Sequence, residues 1–244
     1  MLYSVAVGAG IEAAYYASIG VTAPYTVIEG KHGICNYSKM KNFNVILNHL
    51  GKNYLLMDAA IKKYNCCNAI HGTVEALEYL IAAHPINIDS IDNIKIGVSK
   101  FTIDHCSNKN ITDSLSAQLS IYYVVALTFI CGSPISAKYD EVFFNDERIL
   151  SLMNYIHLYQ KPEYSDNSFG ADVKVTLHDG SFYEKEVIDF KGSAKNPLSL
   201  AEVKNKFFSI FPTPNLRICS NIFSECEKIK YFKNIKNLTK LMVL

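Results

Sequence analysis

The chain has 244 residues, 49% hydrophobic and 19% charged, with 24 basic against 23 acidic side chains, which is long enough to bury a sizeable core and too apolar to be disordered. A formal charge of +1 gives no bulk attraction to nucleic acid or a membrane surface, and only Arg148 and Arg217 among the basic residues carry the fork that a base-reading groove uses. Neither partner is expected, and seven cysteines at irregular spacing point to a reducing compartment rather than a disulfide scaffold.

Taken in chain order, residues 2–20 place Val5, Ala9, Ala13, Tyr16 and Ala17 among small side chains, a pattern for a closely packed helix. Gly20 and Pro24 end it, and a more polar stretch follows around residues 42–50. A helix is predicted over 73–83, closed by Pro85. Ile91, Ile94, Ile96 and Val98 then mark a strand that begins near Asn93. Residues 114–130 read as a long apolar helix stopped at Gly132-Ser133-Pro134, and 146–158 as a shorter one. The apolar stretch 119–131 is too short for the ~20 residues of a bilayer span, so no membrane helix is predicted. Val173, Val175 and Leu177 alternate before Asp179-Gly180 and a second alternating run to Val187, the pattern of a hairpin. Ser199, with Glu202 at the capping-box position, opens a last helix that carries Phe207, Phe208 and Ile210.

The cluster that carries chemistry is Lys62-Lys63-Tyr64-Asn65-Cys66-Cys67-Asn68-Ala69-Ile70-His71. Adjacent cysteines with one histidine lack the separated pairs of a structural zinc site, so no metal is expected. A Cys–His nucleophile pair would require a spatial contact. A carboxylate site suits the residue types better: Lys62 as a point charge, His71 as proton donor or acceptor, and the positive end of the following helix. The bland alternative is two solvated lysines, two small core cysteines and a histidine at a helix start.

The order of several short motifs resembles the C-terminal part of the MmgE/PrpD family, over residues 8–211. They are Gly10-Ile11-Glu12-Ala13-Ala14, Ile28-Glu29-Gly30-Lys31-His32-Gly33, Lys62-x-Tyr64-x-Cys66-Cys67-x-x-x-His71 with Glu75-Ala76, and Ile88-Asp89-x-Ile91-x-x-Ile94. Ala117-Gln118-Leu119-Ser120-Ile121-Tyr122-Tyr123-Val124, Val175-x-Leu177-x-Asp179-Gly180 and Gly192-x-x-x-Asn196-Pro197-Leu198-Ser199 complete them. The resemblance implies an α+β class, with part of an all-helical domain flanking an α+β lid: residues 1–60 and 194–244 in the helical domain and 61–193 in the lid.

It also implies a cofactor-free lyase, a dehydratase or decarboxylase, acting on a small di- or tricarboxylate such as 2-methylcitrate or cis-aconitate. The residues that match are Lys62, which would clamp a substrate carboxylate, His71, and Tyr123 on a lid helix. Cys67 stands at a substrate-binding position where decarboxylase members carry histidine; Asn65 replaces a usual proline, and Gly8 a lysine. Nothing here corresponds to the family's long N-terminal helical region, which supplies the opposing cleft wall. The expectation is therefore a lyase incomplete as this chain, with a truncated, inactive paralogue acting as an interaction module as the alternative. A homodimer is expected by resemblance. The compartment expected is cytoplasmic, with mitochondrial as the alternative, since no leader pattern opens the sequence.

Overall fold

A computed structural model describes residues 2–38, 48–135, 139, 144–165, 168–210 and 216–241. The chain divides into two compact units, Met1–Leu55 and Leu56–Leu244. In the first, α1 (Leu2–Ser18) forms as expected, with Val5, Val7, Ile11 and Tyr15 all largely exposed, and α2 (Ile34–Tyr37) is a single turn. Most of the polar stretch predicted around 42–50 lies outside the described residues.

The second unit is α+β. Its elements are α3 (His71–Ala83), β1 (Ile91–Val98), α4 (Lys100–Cys106), α5 (Ser114–Leu119), α6 (Ile121–Cys131), α7 (Glu147–Asn154), β2 (Ile156–Gln160), β3 (Ala171–Leu177) and β4 (Phe182–Val187). Three helices follow: α8 (Leu200–Ile210), α9 (Leu216–Glu227) and α10 (Lys236–Leu241). Among the described residues no strand precedes Ile91, and no helix is long and apolar enough to cross a membrane.

The sheet order is β2-β1-β3-β4, with β1 and β2 parallel and the other neighbours antiparallel. Ile94 lies opposite Ile156 and Val175, and Ile96 opposite Leu158 and Val173. Because side chains alternate across a strand, this register puts one apolar face against the helices, each buried isoleucine contributing about 1.5–3 kcal/mol. The row of Lys95, His157 and Lys174 falls on the other face. Helix α3 packs across β3 and β4, while α6 packs against α3 and α7.

Three local differences from the sequence reading have physical causes. The predicted helix over 114–130 is two helices, since Ser120 adopts an extended backbone and its hydroxyl accepts the Tyr123 N–H at 3.2 Å to cap α6. The segment 146–158 is helical only to Asn154; beyond Tyr155 the β-branched and aromatic residues Ile156 and Tyr159 pair with β1 as a parallel strand. Helix α4 was not foreseen, being seven residues long with Thr102 and Ile103 in it; Ser99 caps it, and Lys100 and Asp104 pair at 2.6 Å along one face. The capping box at Ser199 forms as read: Glu202 accepts the Ser199 N–H at 2.7 Å, and the Ser199 hydroxyl accepts the Glu202 N–H at 3.3 Å.

One tight backbone crossing lies where α3 meets the approach to β3. A Cβ on Gly72 would sit 2.5 Å from the Phe169 carbonyl oxygen and 3.0 Å from the Ala171 nitrogen, both backbone atoms unable to swing away. Gly72→Ala is therefore expected to cost about 1–3 kcal/mol in urea unfolding. Gly8→Ala, in open space on α1, should be neutral or stabilising by up to about 1 kcal/mol. Equal stability of the Gly72 variant and the parent chain would refute this packing.

Candidate functional site

The segment 61–67 is tied down from several directions. The Ile61 N–H donates to the Gly192 carbonyl at 2.8 Å, the Asn65 N–H to the Pro134 carbonyl at 3.0 Å, and the Cys67 N–H to the Gln118 carbonyl at 2.9 Å. On α3, Glu75 accepts the Lys191 N–H at 2.5 Å, which holds the 190–192 turn beside the helix start. The segment is thus a fixed ledge between α3, the end of α5 and the turn after β4.

Its two adjacent lysines have opposite circumstances. Lys63 lies 3.1 Å from Glu78 and donates at 2.9 Å to the Tyr64 hydroxyl, which donates to the same Glu78 oxygen at 2.6 Å. This closed triad neutralises Lys63, and burial together with the Glu78 charge pushes the Tyr64 hydroxyl well above its ordinary value. The Lys62 ammonium reaches only the Cys66 carbonyl, at 3.2 Å, and has no carboxylate partner among the described residues. A second cation arrives from α8: Lys206, half-buried, donates its ammonium to the Lys62 carbonyl. Burial and then the Lys62 charge hold Lys206 below the ordinary lysine value, and it too lacks a carboxylate among the described residues.

His71 sits beneath this pair with no exposed surface. Its ring lies edge-on between Tyr64, 5.1 Å away, and Phe190, 5.2 Å away. Neither ring nitrogen has a hydrogen-bond partner among the described residues. Burial first, then the charges of Lys62 and Lys206, lower the imidazole from 6.5 to about 3; the nearby carbonyls of Tyr64 and Cys66 act the other way without meeting hydrogen-bond geometry. His71 is therefore neutral at physiological pH. It offers a lone pair and an N–H that are both unspent.

Cys67 is half-buried and feels the Lys62 charge. The neighbouring Cys106 thiol, the Ala69 N–H and Lys62 favour its thiolate over the opposing effect of burial. Cys66 is buried and pushed up to about 12, by burial first. Tyr123 is placed apart from these residues. It is fully buried in the core of α6, its ring 6.2 Å from Tyr139 and 6.1 Å from Phe144, and its hydroxyl has no partner among the described residues. Burial raises it to about 12. Tyr139, whose hydroxyl is likewise buried without a partner, lies within electrostatic reach of both Tyr123 and Cys66.

Lys62, Cys67 and His71 therefore share one locale, and among the described residues Tyr139 lies within electrostatic reach of both Tyr123 and Cys66. The sequence reading missed Lys206. The only sequence signal was a lysine directly before Phe207-Phe208 in the predicted helix, whose acid one turn earlier, Glu202, is claimed by the Ser199 capping box and by Lys191. A cleft of about 740 Å³ elsewhere, lined in part by Ile86, Ile88, Leu152, Arg148 and His178, makes a useful contrast. There Arg148 binds Asp146 at 2.6 Å and His178 faces Asp92 at 3.6 Å, so both already have a carboxylate. Lys62, exposed, and Lys206, half-buried, are two positive charges without a carboxylate among the described residues, set beside neutral, unspent hydrogen-bonding capacity, an arrangement chemically suited to an anion.

The His71 environment has a thermodynamic consequence. Between pH 6.5 and about 3 the unfolded imidazole takes up a proton that the folded one refuses, so acidification through this window lowers stability by this group, and the full penalty is present below about 3. Ring NMR shifts should show His71 neutral down to about pH 4, and protonation near pH 6 would refute the buried environment. His71→Leu should remove this part of the acid sensitivity. It should leave stability at pH 7 equal or higher, since it replaces two unpartnered nitrogens by an apolar group.

Residues 64–213 match the family profile described as the MmgE/PrpD C-terminal domain. Among curated proteins, the chain is 26% identical over 207 residues to the cis-aconitate decarboxylase of Aspergillus terreus, covering 80% of this chain and 39% of that protein. It is 22% identical over 207 residues to the human cis-aconitate decarboxylase, covering 81% of this chain and 43% of that protein. The chain thus spans about two-fifths of the length of these relatives. With an α+β unit that carries the Lys62-to-His71 ledge and a match over well more than half its length, the chain belongs to the MmgE/PrpD family through that family's C-terminal domain.

Proposed function

We propose that this chain supplies the carboxylate-holding wall of an MmgE/PrpD-type lyase whose substrate is a small di- or tricarboxylate, with cis-aconitate as the first compound to test. The observation that carries the reading is the Lys62–Lys206 pair without a carboxylate partner above a neutral, unpartnered His71. The names of the relatives support the choice of compound.

In this reading the two ammoniums hold substrate carboxylates through charge-assisted hydrogen bonds. Loss of carbon dioxide, or removal of the carbon-bound proton that precedes departure of water, places an electron pair beside carboxylates that already carry charge, and fixed cations stabilise that build-up. A bound anion offsets the two lysine charges that help depress His71, so substrate raises its basicity and makes the imidazole a proton carrier: it takes the carbon-bound proton ahead of water loss or, once protonated from solvent, returns one to the carbon that has lost carbon dioxide. Tyr123, fully buried beyond Tyr139, would take part only through its unpartnered hydroxyl.

A second reading is binding without turnover by this chain alone. The chain covers about two-fifths of its relatives' length, and Cys67 and Gly8 occupy positions where the resemblance places a histidine and a lysine. A lyase needs carboxylate capture, proton transfer and water exclusion together, and these contributions fail as a unit.

Titration of the chain with cis-aconitate, followed by NMR, should give saturable shifts centred on Lys62, His71 and Lys206. Lys62→Met and Lys206→Met should each weaken binding about 10–100-fold, the equivalent of one charge-assisted hydrogen bond. Lys228→Met, an exposed change of equal charge remote from the site, should leave binding unaltered. Product signals of decarboxylation in the same tube distinguish turnover from binding alone. Absence of saturable binding, or equal binding by all three variants, would sink the proposal.

A further inference from the structure

Helix α4 packs against the short 3-10 turn Asn68–Ile70, with the Thr102 hydroxyl donating to the Ala69 carbonyl at 3.5 Å. Cys67 caps the start of that turn and Cys106 ends α4, and across this packing the two thiols are within hydrogen-bonding reach of each other. Cys106 has no exposed surface, whereas Cys67 is only half-buried and is the member of the pair that solvent reaches. Cys66, next in sequence, is buried among core residues and electrostatically coupled to Tyr139.

We propose that Cys67 and Cys106 form a reactive dithiol that a small-molecule disulfide converts to an intramolecular disulfide. The half-buried Cys67 thiolate attacks one sulfur of the oxidant, expels one thiolate and forms a mixed disulfide. Cys106 then loses its proton to solvent and attacks the Cys67 sulfur, expelling the second small thiolate. Two protein thiols are oxidised to one disulfide, one small disulfide is reduced to two thiols, and atoms and electrons balance. The asymmetry of the pair suits these roles. The Cys106 thiol first, then the Ala69 N–H and Lys62, favour the Cys67 thiolate as attacking group, while the same bond to Cys67 and then burial keep Cys106 protonated until the mixed disulfide stands next to it. None of this depends on the lyase reading, and either can fail without the other.

The test uses the whole chain, reduced, desalted and incubated with oxidised glutathione. Remaining thiols are then alkylated and the peptides mapped by mass spectrometry. The expected result is the loss of two of the seven free thiols, with residues 67 and 106 in one cross-linked peptide, reversal by dithiothreitol and an unchanged circular dichroism spectrum. Cys106→Ala should halt the reaction at a lasting glutathione adduct on Cys67. The proposal is overturned if Cys67 remains free, if the unsubstituted chain retains the glutathione adduct, if Cys67 links to Cys66, or if the cross-link appears only with loss of helicity. The principal readout is on the unsubstituted chain, so poor folding of the variant would not remove the test.

Discussion

The close crossing of α3 over the start of β3 is the constraint on which the second unit depends. Gly72 permits it because backbone meets backbone there, with Phe169 and Ala171 against the first turn of the helix. Interiors pack at near-crystalline density, so such an approach admits little adjustment. With the helix start pressed onto the sheet, His71 has nowhere to go but inward, between Tyr64 and Phe190. The preceding ledge is then pinned at Ile61, Asn65 and Cys67 by Gly192, Pro134 and Gln118. Three sequence-distant segments meet at one helix terminus, and Lys62, Cys67 and His71 lie on that junction.

Charge pairing separates structure from function within this junction. Lys63, Tyr64 and Glu78 satisfy one another and stabilise the ledge. Lys62, one residue away, has its ammonium on the Cys66 carbonyl and its own carbonyl taken by the Lys206 ammonium, with no acid beside it among the described residues. A half-buried ammonium such as Lys206 beside a second positive charge is unfavourable for folding, because desolvation and repulsion both raise the energy of its charged form. The fold tolerates them here together with a histidine whose nitrogens are both unpartnered. Pairs of this kind, costly in the empty protein, are what a bound anion would relieve.

The unpartnered hydroxyls of Tyr123 and Tyr139 show the same trade in an apolar setting. Both rings contribute large packing area around Phe144 in the α6 core, but their polar atoms lack partners among the described residues. A phenylalanine would pack as well without stranding an oxygen. Packing therefore accounts for the rings and leaves the hydroxyls without a structural use.

Much of this was legible in the sequence. The hairpin, the start of the sheet within a few residues of Asn93, the helix ending before Pro85 and the Ser199 capping box all come from local signals whose physics is local: alternation, turn residues and caps. The motif order likewise carried the family and drew attention to Lys62, Cys67, His71 and Tyr123. The segment after Tyr155 was misread because a short run with Ile156 and Tyr159 is compatible with helix or strand until β1 offers it a hydrogen-bonding partner. Only tertiary structure decided that Lys62 is unpaired while Lys63 is neutralised, since the deciding acid, Glu78, lies a helix turn and a fold away. It also brought Lys206 to Lys62 across 144 positions of sequence and Cys106 to Cys67 through the packing of α4. Local spacing sets which side chains a segment presents; whether a charge there is answered depends on what long-range packing places opposite it, and no periodicity encodes that.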